Sequence, residues 1–106
     1  MKNYLKTTAG ILLSATMVTA PHADVTIGEL QGFTGPLESM IGAMSGGANL
    51  AVTEANASGK FLQGTINVVQ GDSVCVDAAV AIAQAEKMVN EANVMAIMGP
   101  NCSGNT

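Results

Sequence analysis

Asn93-Val94-Met95-Ala96-Ile97-Met98-Gly99-Pro100-Asn101-Cys102-Ser103-Gly104-Asn105-Thr106 is the last stretch of the sequence, and its reading decides the rest. Val94 to Met98 is a short apolar run, the pattern of a strand fully buried in a parallel sheet. Gly99-Pro100 ends the run with a turn signal, and the small polar residues beyond it can offer backbone N–H groups to a ligand. Open α/β sheets bind ligands outside the carboxyl ends of their strands, so this loop is the candidate site.

Working outward, Ala78, Ala81, Ile82, Ala85, Met88, Val89 and Ala92 recur at helical spacing, with Asp77, Gln84, Lys87, Asn90 and Glu91 on the polar side. Before that helix, Thr65 to Gln70 is a β-branched strand closed by Gly71-Asp72-Ser73. A first helix is predicted from the spacing of Leu37, Met40, Ile41, Met44, Ala48, Ala51, Val52 and Ala55, and Asn56 to Gly59 ends it. Gly46 and Gly47 inside it are expected where helix and sheet backbones approach closely. Val25 to Gln31 alternates apolar and polar as a first strand, and Gly32 to Pro36 turns the chain. The series is β-α-β-α-β, an α/β class unit with a parallel sheet, right-handed crossovers and uncovered sheet edges.

The opening segment stands apart from this unit. Lys2 and Lys6 precede an apolar run from Ala9 to Ala20, and Pro21-His22-Ala23 follows, so residues 1–23 read as a cleavable signal peptide. The run is shorter than the roughly 20 apolar residues that span a bilayer. Residues 24–106 are then expected to form one incomplete α/β lobe, exported and not itself transmembrane. In that lobe Lys60 and Lys87 face all eight acidic side chains, and the chain has no Arg. Such a balance repels phosphate backbones and anionic headgroups, which disfavours nucleic acid and membrane surfaces as partners.

Cys75 and Cys102 are the two cysteines, and each follows a predicted strand at the same edge of the sheet. In an exported chain a disulfide is the natural reading; a reactive thiol or a metal pair are the others, with no His or further Cys left to complete a metal site. Gly99 to Thr106 also fits G-x-x-x-x-G-x-T, a phosphate-binding P-loop in which Asn105 replaces the lysine. Met40 and Met44 lie four apart, the spacing of core filling or of soft copper ligands. Asp72 and Asp77 flank Cys75, as a solvated loop charge and a helix N-terminal charge. No nucleophile–base pair and no cofactor motif emerges, so nothing argues for an enzyme.

Taken together, the strand, Thr34-Gly35-Pro36, the helix with Gly47-Ala48 and Leu50-Ala51-Val52, Asn56-Ala57-Ser58-Gly59, Gly71-Asp72-Ser73-Val74-Cys75 and Gly99 to Gly104 resemble the start of type I periplasmic solute-binding proteins. The branched-chain amino acid binding proteins of ABC importers are the group resembled. The resemblance implies two α/β lobes around a cleft, an amino acid ligand, a membrane permease as partner, and a periplasmic location. It implies a Cys75–Cys102 disulfide. It places the ligand's α-carboxylate at Ser103 and the neighbouring Gly104, and sets Met40 beside the side-chain pocket, where some members carry an aromatic residue. Val76-Asp77 departs from the Asp-Pro with which many members open the second helix. An extracellular sensing domain of the same fold and a degenerate P-loop enzyme are the alternative readings.

Overall fold

The structure, a computed structural model, describes residues 23–60 and 64–105. The export segment read over residues 1–23 lies, up to residue 22, outside the described residues. Three strands and two helices follow in the expected order: β1 (Val25–Gln31), α1 (Glu38–Ala57), β2 (Ile66–Asp72), α2 (Ala78–Asn90) and β3 (Ala96–Met98), then a 3-10 turn over Ser103–Asn105. The sheet is parallel in the order β2-β1-β3. Val25 stands opposite Ile66 and Gln31 opposite Asp72, while Ile27 to Glu29 pair with Ala96 to Met98.

The chain leaves β1 toward one side for β2 and crosses back over it to β3, so right-handed crossovers put α1 and α2 on opposite faces. Both faces of β1 are therefore covered. On the α2 face Met88 is the central side chain, 3 % exposed. Its Sδ lies 2.7 Å from where a Cβ would stand on Gly28, and its Cε 2.7 Å from one on Gly71. The missing side chains on β1 and β2 make the groove that this thioether fills.

On the α1 face the buried helix residues are Ile41 and Ser45, with Ala48, Val52 and Ala55 partly covered. Met40 and Met44, read from the periodicity as part of the buried face, are 58 % and 44 % exposed. The reason lies beneath the helix. Glu29 is fully buried there, and its carboxylate accepts from Ser45 Oγ at 3.1 Å, Gln70 Nε2 at 2.9 Å and Gln31 Nε2 at 2.9 Å. A polar residue on the sheet draws Ser45 inward, because a buried carboxylate needs donors. Gly46 and Gly47 do not mark a close approach: a Cβ on either would meet open space.

β3 also departs from expectation. It is three residues long, with Ala96 and Met98 exposed, rather than a buried run from Val94. It pairs with β1 alone, and nothing among the described residues covers its outer edge. The helix ends are well defined. Asn56 bonds the Ile66 backbone as a strand partner would, accepting its N–H at 2.8 Å and donating to its carbonyl at 3.0 Å. Asp77 caps α2 through Ala79 N–H at 2.9 Å, so Val76-Asp77 still supplies a cap. Asn93, at φ 51°, turns the chain away after α2 toward β3.

Candidate ligand-binding site

The carboxyl ends of the strands carry three loops: 32–37 after β1, 73–77 after β2 and 99–102 after β3. The strand order switches at β1, so the crevice between the ends of β1 and β3 is where such a sheet presents a ligand site.

Gly99 directs the chain into that crevice. It adopts φ 116°, and a Cβ there would run into the Leu30 carbonyl, so only glycine lets β3 leave β1 at this angle. Asn101 Oδ1 then accepts from Gly32 N–H at 3.0 Å, joining the third loop to the first. Cys102 is disulfide-bonded to Cys75, with the Cα atoms 5.3 Å apart, which joins the third loop to the second. Gly32 leaves room for the bridge, since a Cβ there would strike Cys75 Sγ.

Ser103 and Gly104 follow at once and form an exposed 3-10 turn with Asn105, closed by Asn105 N–H donating to the Cys102 carbonyl at 2.9 Å. That bond leaves the Ser103 and Gly104 N–H groups outside the turn's own pairing. Met40 stands exposed near the start of α1, the element that follows the first loop. A groove of about 310 Å³ opens on the α1 side, between Met44 and Ala48 of the helix and Met98 and Pro100 beyond β3; neither Ser103 nor Met40 lines it.

The second loop is held by an acid that sequence reasoning read as a solvated charge. Asp72 accepts from Thr34 Oγ1 at 2.6 Å, Thr34 N–H at 3.2 Å and Val74 N–H at 2.9 Å. Partial burial works against its charge, but the Thr34 and Val74 hydrogen bonds outweigh it and hold the carboxyl below its ordinary value. Val74 and Cys75 adopt φ 49° and 65°, a conformation strained for the β-branched Val74, whose N–H the Asp72 carboxylate holds.

In the P-loop pattern Asn105 stands where the lysine would be. Its side chain turns inward instead, donating to the Ser73 carbonyl at 2.9 Å. A neutral amide directed at a backbone carbonyl does not supply the charge that a P-loop lysine brings to a phosphate. No group of three His, Cys, Asp or Glu gathers among the described residues, and no helix among them is long and apolar enough to cross a membrane.

The model of the periplasmic binding protein family matches residues 24–106. Leu/Ile/Val-binding protein homolog 7 of Brucella abortus is 37% identical over 82 residues, 77% of this chain and 20% of that protein. Homolog 8 of the same organism is 34% identical over 90 residues, 85% of this chain and 22% of that protein. Among solved structures, the branched-chain amino acid transporter substrate-binding protein LivJ from Streptococcus pneumoniae, in complex with isoleucine, superposes with a TM-score of 0.71 at 32% identity, covering 78% of this chain and 24% of that one. The chain thus spans about a fifth of the length of the curated relatives it matches. With its parallel sheet, its crevice and its matched span, the chain belongs to the periplasmic binding protein family.

Proposed function

We propose that this chain supplies part of the first lobe of a receptor that captures a branched-chain amino acid and delivers it to the permease of an ABC importer. The Ser103 turn is the observation that carries the reading. It offers an exposed hydroxyl and two N–H groups outside the turn's own pairing, on the loop after β3 that the disulfide ties. An amino acid's α-carboxylate accepts from Ser103 Oγ, Ser103 N–H and Gly104 N–H, bonds strengthened by its charge. Met40, flexible and polarisable, flanks the ligand's side chain. The names of the Leu/Ile/Val-binding relatives and the isoleucine bound by LivJ support this ligand class. The match covers about a fifth of those relatives, so the groups that hold the ammonium end come from the remainder of such a protein. Residues 1–23 direct export to the periplasm, where the Cys75–Cys102 bridge persists.

Calorimetric titration of the complete protein with isoleucine, leucine, valine and their amides tests the reading. The acids bind and the amides bind far more weakly. A hydrogen bond to a charged group is worth about 1.5–3 kcal/mol, so Ser103→Ala weakens isoleucine roughly ten- to a hundred-fold. Amides that bind as well as the acids, or a Ser103→Ala variant as tight as the parent, refute it.

A further inference from the structure

We propose that Asn101 and Asn105 are positioning residues for the carboxylate-binding turn, a role that rests on the reading of Ser103 given above. The turn is pinned on both sides within a few residues. On entry, Asn101 Oδ1 accepts from Gly32 N–H at 3.0 Å, and Cys102 is bridged to Cys75. On exit, Asn105 Nδ2 donates to the Ser73 carbonyl at 2.9 Å.

Ser73 is a fixed anchor. It is fully buried, its N–H donates to the Gln31 carbonyl at 2.8 Å, and its own carbonyl also accepts from Cys75 N–H at 2.7 Å. The Asn105 amide therefore docks the far end of the turn on the junction of β1 and the second loop. Ser103 and Gly104 lie between these pins and are exposed. The arrangement fixes the backbone of the turn while leaving its donors to the ligand. Preorganised donors bind an anion without first having to be ordered, which favours the carboxylate over uncharged analogues.

Asn105→Leu decides the matter, because it keeps the branching and approximate size of the side chain, removes the donor to Ser73 and adds no charge beside the anion. The probes are L-isoleucine and L-isoleucinamide, titrated into the complete protein, and the readout is the ratio of their affinities. Asn105→Leu and Asn105→Ala each lower that ratio about ten-fold, the effect of one hydrogen bond acting through position. Ile41→Val, a core change in α1, lowers thermal stability and leaves the ratio at the parent value. If both Asn105 variants behave like Ile41→Val while Ser103→Ala still lowers the ratio, Asn105 is merely structural and the proposal falls alone. If Ser103→Ala also leaves the ratio unchanged, the carboxylate reading of the turn falls and takes the proposal with it.

Discussion

The hydroxyl of Thr34 donates to Asp72 Oδ2 at 2.6 Å, and the Thr34 N–H donates to Oδ1 at 3.2 Å, so one threonine grips both oxygens of one carboxylate. The contact joins the loop after β1 to the last residue of β2, next to the cysteine of the second loop. It sets the spacing of two of the three loops at the crevice.

This grip is expected to be acid-sensitive. Burial acts to raise the Asp72 pKa, yet its hydrogen bonds lower it below the ordinary 3.8. A group depressed in the folded state stabilises above its unfolded pKa and loses that contribution as pH falls through its folded pKa. Parent and Asp72→Asn therefore differ in stability at about pH 6, and the gap narrows as pH drops below the ordinary carboxylate range. Thr34→Val removes the hydroxyl donor and costs about 0.5–1.5 kcal/mol at neutral pH. Urea midpoints measured across that range check both statements; a gap that widens in acid contradicts them.

A second expectation concerns the α2 face. Met88 fills the space above Gly28 and Gly71, and Met88→Ala opens a cavity there at a cost of about 2–5 kcal/mol. Gly28→Ala pushes its new methyl into the Met88 thioether and the Ile97 side chain, and is destabilising by itself. In the Met88→Ala background the same methyl enters vacated space. The double variant is thus more stable than the sum of the single losses predicts, by more than about 0.5 kcal/mol. Strict additivity in chemical denaturation would show that the two sites do not share this space.

Much of this architecture is legible in the sequence, because element type follows from periodicity. The order of strands and helices, the parallel sheet and the Cys75–Cys102 bridge all follow the reading of the chain. What was not legible depends on which layer covers which face. Val25 to Gln31 alternates as though one side faced water, yet Glu29 and Gln31 are buried beneath α1. Their polar groups choose Ser45 over Met40 and Met44 as the inward face, and helical spacing alone cannot register that choice. Of the site, the location of the loop was readable from its Gly-Pro break. The inward turn of Asn105 was not, since its partner is a backbone carbonyl thirty-two residues earlier.

The same buried acid yields a third expectation. Ser45→Ala removes one of three donors to Glu29 and leaves Gln70 as the donor to Oε2. The loss is about 1.5–3 kcal/mol, larger than for an ordinary helix serine, because the acceptor is a buried acid. Asn49 also donates to the Ser45 hydroxyl at 3.3 Å, and that bond disappears with it. A thermal melt of Ser45→Ala within experimental error of the parent would mean that the network is not sustained in solution.

The last expectation concerns the bridge beneath the Ser103 turn. Cys75 and Cys102 are separated by 27 residues, and the closed loop contains all of α2. In the chain-entropy model, restricting the unfolded state over such a loop stabilises by about 3.5 kcal/mol. A second effect acts in the folded state: Cys102 is buried and Cys75 packs on Gly32, so opening the bridge frees the turn from the second loop. The two effects separate by experiment. Replacing both cysteines with serine lowers unfolding free energy by about 3.5 kcal/mol if only the unfolded state responds. It lowers it further, and speeds hydrogen exchange at the Gly32 and Asn105 amides, if the turn also loosens. Burial of Cys102 further means that a thiol reductant opens the bridge more slowly in the native protein than in urea. Equal rates of reduction in the two conditions, measured by alkylation and intact mass, would show that the loops already part in the folded state.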